Sequence, residues 1–198
     1  MREAVVSLDL EFNQPSGRII QIGVVIGRLS TGDVISQFET KVNPGEPLSE
    51  RIATLTGIGA EELDAAPDIY GAGRDLAIWL RQWDSVRQLN PLTWGGGDTQ
   101  ALRTELGVND ERWMFGRRWL DVKTLYGAWR TAQGKEGAGG LAKSMERLGM
   151  TFVGRPHNAL HDSLNTFLTF RALLAKFSES AFIHDAVAPR NVETPHCP

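Results

Sequence analysis

The chain has 198 residues, 41% of them hydrophobic and 23% charged, which excludes a disordered, collagen-like or low-complexity polymer. At about 150 residues per domain this length predicts one domain, and it is read here as residues 1–177 followed by a C-terminal tail, 178–198. Lys and Arg number 21 against 24 Asp and Glu, a formal charge of −3, so composition carries no basic signature of a nucleic-acid or membrane partner. One cysteine, Cys197, cannot close an internal disulfide. No apolar run approaches the about 18 residues of a membrane span. Asp9 and Glu11 arrive too early for a signal peptide. These features predict a soluble, intracellular, cytoplasmic protein.

The first third reads as strands. Ala4 to Glu11 is apolar and ends in acid, Arg18 to Leu29 is rich in Ile and Val, and Asp33 to Val42 alternates. Turn residues Pro15-Ser16-Gly17 and Thr31-Gly32-Asp33 separate them, and such short links favour an antiparallel meander. Helical spacing then takes over. Leu76, Trp79, Leu80 and Trp83 fall at i, i+3, i+4 and i+7, one apolar face of a helix. Pro91 to Trp94 is a short strand, Thr99 to Leu106 a helix, and Trp119 to Val122 a second short strand with a helix behind it to about Thr131. Gly134 to Gly140 is a loop and Leu141 to Leu148 a helix. The last helix takes its apolar stripe from Leu160, Leu164, Phe167, Leu168 and Leu174. Three strands, then helices interleaved with two short strands, predict an α/β fold: a mixed five-stranded sheet covered by helices.

Three places carry chemistry. In Ser7-Leu8-Asp9-Leu10-Glu11-Phe12, side chains two apart share a strand face, so Asp9 and Glu11 lie together while Leu8 and Leu10 point away. Adjacent acids repel unless a cation sits between them; the alternative is a strand end emerging into solvent. In Thr93-Trp94-Gly95-Gly96-Gly97-Asp98 a strand ends and glycines turn the chain. Asp98 then stands at a helix start, placed either to cap it or to reach a metal. No Gly-Lys-Ser/Thr follows, so this is not a phosphate loop. In Arg155-Pro156-His157-Asn158-Ala159-Leu160-His161-Asp162, Asn158 suits a helix N-cap. His157 then precedes the helix and Asp162 lies on its first turns, facing inward. His161 faces another way and ranks below His157.

The ordered set resembles the three motifs of the DEDDh exonuclease superfamily, which includes RNase T, oligoribonuclease, bacterial proofreading subunits and the Eri-type exonucleases. It covers about residues 4 to 176. Leu55-Thr56-Gly57-Ile58 and Asp121-Val122-Lys123-Thr124-Leu125 resemble further family segments. Thr93-Trp94-Gly95 and Gly154-Arg155-Pro156-His157 look most like the Eri-type branch. The resemblance implies an RNase H-like fold, with two parallel strands extending the antiparallel meander and helices on both faces. It implies that Asp9, Glu11, Asp98 and Asp162 ligate two Mg²⁺ or Mn²⁺ ions, with His157 as general base. The activity implied is 3′–5′ release of nucleoside 5′-monophosphates from single-stranded nucleic acid, RNA favoured over DNA. A DNA proofreading or repair role, and a non-catalytic binding module on the same fold, are the competing readings.

Leu10, Phe12, Leu55, Thr56 and Ile58 resemble the positions that hold the terminal base in this family. Core packing is the competing role for Phe12 and Leu55, and Trp94 is placed either in the core or as a stacking surface. Arg112, Arg117 and Arg118 around Trp113, Phe115 and Trp119 read as a solvated loop able to guide a strand. His184, His196 and Cys197 match no metal-site spacing. The expected partner is the 3′ end of single-stranded RNA or DNA, with no membrane, and the oligomeric state is open.

Overall fold

A computed structural model describes residues 4–83, 89–109, 112–137 and 139–179. The meander forms as expected. Strands β1 (Ala4–Phe12), β2 (Ile19–Arg28) and β3 (Val34–Lys41) pair antiparallel, and their boundaries lie within three residues of the turn signals. β4 (Leu92–Thr93) runs parallel to β1, and β5 (Leu120–Asp121) parallel to β4, giving the order β3-β2-β1-β4-β5.

Between β3 and β4 stand α1 (Glu50–Thr56), α2 (Ala60–Asp64) and α3 (Ile69–Arg81). The first two escape a periodicity argument because 7 and 5 residues complete barely two turns. In α3 the predicted face is buried at Leu76 and Leu80, while Trp79 packs on Phe38 with ring centroids 5.6 Å apart. Then come α4 (Asp98–Leu106), α5 (Val122–Ala132), α6 (Leu141–Arg147) and α7 (Ala159–Glu179). The last helix therefore runs past the expected boundary at 177. The rest of the tail, with His184, Pro189, Pro195, His196 and Cys197, lies outside the described residues.

Strand alternation sends the two sheet faces to different partners. Val6, Leu8 and Leu10 of β1 and Ile22, Val24 and Ile26 of β2 are buried with Leu76 and Leu80 of α3 and Leu102 and Leu106 of α4. Each such side chain contributes about 1.5–3 kcal/mol on full burial. On the other face, Leu92 of β4 joins Val122 and Tyr126 of α5 and Phe170 and Leu173 of α7. No described helix is long and apolar enough to cross a membrane.

The stripe expected for α7 needs correction. Its buried residues include Ala159, Ser163, Thr166, Phe167, Phe170 and Leu173, whereas Leu174 is 40% exposed and Leu160, Leu164 and Leu168 are only half-buried. The physical reason is close approach. A Cβ on Gly23 would lie 2.1 Å from the Ala159 backbone, and one on Gly27 2.3 Å from the Phe167 ring. Where the helix backbone rests on Gly23 only small residues fit beneath it, so Ala159 and Ser163 are buried where leucines were expected, whereas Gly27 makes room for the expected Phe167.

Candidate active site

Residues from four segments meet at one end of the sheet. Asp9 and Glu11 project from β1 on the face that carries α7, opposite to Leu8 and Leu10. A set of buried hydrogen bonds seats α7 there. Ser163 Oγ donates to the Ser7 carbonyl at 2.9 Å, the Ala159 N–H donates to Gln21 Oε1 at 3.0 Å, and Ser7 Oγ ties β1 to the Leu92 carbonyl of β4 at 3.3 Å. Asn158 is the N-cap, accepting the His161 N–H at 3.0 Å, and its amide also donates to Glu39 Oε1 at 3.0 Å. Asp162 is thereby carried on the first turn of α7 to the acids of β1.

Asp98 arrives differently. It is the first residue of α4, and the N-cap is Gly97, whose φ of 137° is a conformation L side chains rarely adopt. Gly97 and not Asp98 is the N-cap, so the capping alternative gives way, and the charge of Asp98 acts on Asp9 and Glu11. The glycine run is the geometric requirement of this turn. Asp121, the N-cap of α5, holds the turn in place: its Oδ1 accepts from Thr124 N at 3.0 Å and from Gly95 N at 3.1 Å. The sequence reading noted Asp121 only as part of a family segment. Its capping spacing to Thr124 was visible, but its partner Gly95, 26 residues away, was not.

The electrostatics follow from crowding acids in a half-buried cleft. Burial raises Asp9 well above the usual carboxylate range, and the charges of Asp98, Asp162 and Glu11 add to it. Burial pushes Glu11 up to about 8, reinforced by Asp162, by Asp98 and by a hydrogen bond shared with Asp162. Burial alone pushes Asp98 up to about 7. Asp162 is also raised by burial, against the opposing pull of the His157 N–H and the two histidines. Four carboxylates whose ionised forms are disfavoured by burial, and at Asp9 and Glu11 by acidic neighbours as well, fit a divalent cation, whose charge would reverse that penalty.

His157 is exposed and has φ 62°, alone among the described non-glycine residues in taking positive φ. Strained backbone of this kind clusters at functional sites. The conformation turns its N–H onto Asp162 Oδ2 at 2.9 Å. Ligand atoms of Glu11, His157 and Asp162 lie within 4.8 Å of one another. His161 is engaged elsewhere, its Nδ1 accepting the Arg155 N–H at 3.1 Å.

A cavity of about 500 Å³ opens over Asp9, Glu11, His157 and Asp162, walled by Trp94, Leu141, Lys143 and Phe152. Leu10 borders it but is buried in the core. Trp94 is half-buried and also packs on Tyr126, with ring centroids 6.0 Å apart. A second cavity, about 650 Å³, adjoins Glu11 from the other side and is lined by Phe12, Arg51 and Leu55. Leu55 is 41% exposed there. Thr56 and Ile58 face inward instead. The Thr56 hydroxyl donates to the Ile52 carbonyl at 2.8 Å and accepts the Ile58 N–H at 3.2 Å, and Ile58 is buried with Ile20, Ile52 and Leu63. In the Arg112 loop, Trp113 and Phe115 are core residues and Trp119 is 42% exposed. Leu141, Lys143 and Phe152 had no motif to mark them.

Comparison with known proteins gives the family and the fold. Residues 6–170 match the RNase_T exonuclease family model, and the chain belongs to that family. It is similar to ERI1 exoribonuclease 2 of Danio rerio, 26% identical over 176 residues, covering 79% of this chain and 31% of that protein. It is likewise 26% identical over 153 residues to the human 3'-5' exoribonuclease 1, covering 74% of this chain and 43% of that protein. The chain thus spans under half the length of these relatives. Among solved structures, the nuclease domain of 3'hExo, a DEDDh family member bound to rAMP, superposes with a TM-score of 0.72 at 22% identity, covering 88% of this chain and 92% of that one. Cell-death related nuclease 4 (CRN-4) superposes with a TM-score of 0.75 at 16% identity, covering 88% of this chain and 64% of that one. These neighbours share the RNase H-like fold.

Proposed function

We propose that the protein is a metal-dependent 3′–5′ exonuclease that removes nucleoside 5′-monophosphates from single-stranded nucleic acid, RNA in preference to DNA. The observation that carries this reading is the convergence of Asp9, Glu11, Asp162 and His157 on one open cleft, with Asp98 near enough for its charge to act on Asp9 and Glu11. The Eri-type and 3'-5' exoribonuclease relatives support the RNA preference.

In this reading the four carboxylates hold two Mg²⁺ or Mn²⁺ ions. Such ions, when bound, activate a water and neutralise charge on the attacking and leaving oxygens of the phosphodiester. The acids orient the scissile phosphate between β1 and α7. An imidazole nitrogen of His157, at the open rim beside Glu11 and Asp162, takes the proton of the attacking water. Phe12 and Leu55 border the terminal base in the second cavity. A stacked base there contributes about 1–3 kcal/mol. Lys143 offers the strand a cation at the cavity wall. Its pairing with Glu146 at 2.6 Å is solvent-exposed and so exchanges readily for a phosphate. A lone cysteine and the absence of a paired thiol suit a reducing, cytoplasmic setting.

The deciding experiment uses 5′-labelled single-stranded RNA and DNA with Mg²⁺, Mn²⁺ or chelator. The expected result is a ladder shortening from the 3′ end, faster on RNA and abolished by chelator. Faster cleavage of DNA would turn the reading to a proofreading or repair enzyme. Binding without cleavage of either polymer would point to a non-catalytic module.

A further inference from the structure

We propose that Arg155 is a positioning residue that ties the His157 loop to the carboxyl end of α1, so that the catalytic histidine and the Leu55 rim keep their spacing as one unit. The proposal rests on the reading of His157 as the general base.

Arg155 lies two residues before His157 and about a hundred from α1 in sequence, yet its guanidinium reaches the end of that helix. Its Nη2 donates to the Leu55 carbonyl at 3.2 Å and to the Thr54 carbonyl at 3.4 Å. These belong to the last turn of α1, where carbonyls have no partner within the helix and where the helix dipole favours a cation. Two features make room for the contact. A Cβ on Gly57, the C-cap of α1 with φ 71°, would lie 1.7 Å from Arg155 Nη1. On the other side, a Cβ on Gly154, φ 82°, would lie 2.6 Å from the His161 ring, whose Nδ1 accepts the Arg155 N–H at 3.1 Å. Arg155 is therefore held at both ends, by α1 through its side chain and by α7 through its backbone. His157 follows with its own N–H on Asp162 Oδ2 at 2.9 Å. Between two such anchors the strained backbone of His157 has little freedom. Without the guanidinium, the loop keeps only its α7 anchor. Arginine suits this role because its guanidinium stays charged and rich in donors, so that one nitrogen, Nη2, serves both carbonyls.

The test compares Arg155→Ala, Arg155→Lys and Gly57→Ala, reading backbone hydrogen exchange of the metal-free protein and steady-state cleavage of labelled RNA. Gly57→Ala displaces the guanidinium, the flexible partner in that contact, from the α1 side. In both Arg155→Ala and Gly57→Ala, exchange at Arg155 and His157 is expected to quicken at least tenfold. For Arg155→Ala, kcat is expected to fall about tenfold or more with KM changed under threefold, since small misplacements of a reacting group are costly. Arg155→Lys should recover part of the loss. In a His157→Ala background, Arg155→Ala should cost no further activity, because its effect passes through the histidine. Unchanged exchange in both variants overturns the proposal, as does a full additional loss in the His157→Ala background. An inactive wild-type protein would overturn the exonuclease reading and with it the catalytic half of this proposal, while exchange would still decide whether Arg155 braces the loop.

Discussion

Gly23 stands directly across the β1–β2 ladder from Asp9. The two positions work together. The missing side chain at Gly23 lets the backbone of Ala159 rest on β2, and that contact sets the depth at which α7 delivers Asp162 to Asp9. Gly23→Ala would place a Cβ 2.1 Å from the Ala159 carbonyl carbon, against backbone that cannot rotate aside. Overpacking of this kind costs about 1–3 kcal/mol. The expected outcome is a lower denaturant midpoint together with weakened Mn²⁺ binding by titration calorimetry. A variant with unchanged metal affinity would disprove the link between the glycine and the acids.

The charge of Asp9 is disfavoured through burial first and its three acidic neighbours next. Asp9→Asn should abolish metal-dependent cleavage and at the same time stabilise the metal-free protein. Tm in chelator at pH 8 should rise, by about 2–4 °C for each kcal/mol of repulsion relieved in a chain of this size. A fall in Tm would show that the carboxylate contributes packing or hydrogen bonds that outweigh its charge. Asp162→Ala should also abolish cleavage, but without the stabilisation, since it frees the His157 N–H.

The same raised acids set a pH dependence. Glu11 is pushed up to about 8 and Asp98 to about 7, from ordinary values of 4.5 and 3.8. Between those limits the folded protein binds more protons than the unfolded chain, so stability falls as pH rises. The contribution is fully present below about pH 4 and is lost as pH climbs through 7 to 8. Chemical denaturation in chelator should show a declining midpoint from pH 5 to pH 9. Saturating Mg²⁺ or Mn²⁺ should flatten that decline, because the cation stabilises the ionised carboxylates. A midpoint in chelator that rises over this range would contradict the arrangement of the acids.

The two histidines near Asp162 separate cleanly. His157→Ala should reduce kcat by about 10²–10⁴-fold, the usual contribution of a general base. His161→Ala removes the acceptor of the Arg155 N–H. It should cost about 1 kcal/mol of stability while holding kcat within tenfold of wild type. Single-turnover cleavage of labelled RNA measures both, and equal losses would mean that the assignment of roles is wrong.

The antiparallel meander and most helices were legible because the signals are local. Alternation in β1, the glycine turns of the meander and the i, i+3, i+4, i+7 face of α3 each fit within a dozen residues. The helices α1 and α2 were not, since neither is long enough to express a period. The stripe of α7 was misjudged for a related reason. Leucines are the ordinary apolar markers, but the helix backbone rests on Gly23 at Ala159, and the buried face there includes Ser163 and Thr166, which carry little hydropathy, while the expected Phe167 is seated over Gly27.

The sequence by itself determined the kinds of groups and their order: two acids on one strand face, a third behind a glycine run, a histidine ahead of the last helix and a fourth acid on its first turn. That information is carried by periodicity and by motif spacing, which need no knowledge of distant partners. Only the tertiary structure decided how these groups meet. Asp98 left its capping role because Gly97 took it, Asp121 was found to hold Gly95, His161 was committed to Arg155, and Thr56 and Ile58 turned inward from Leu55. These outcomes depend on a partner 26 positions away, on a backbone angle, or on which way a loop folds back on its helix, and such relations exist only once the chain has folded.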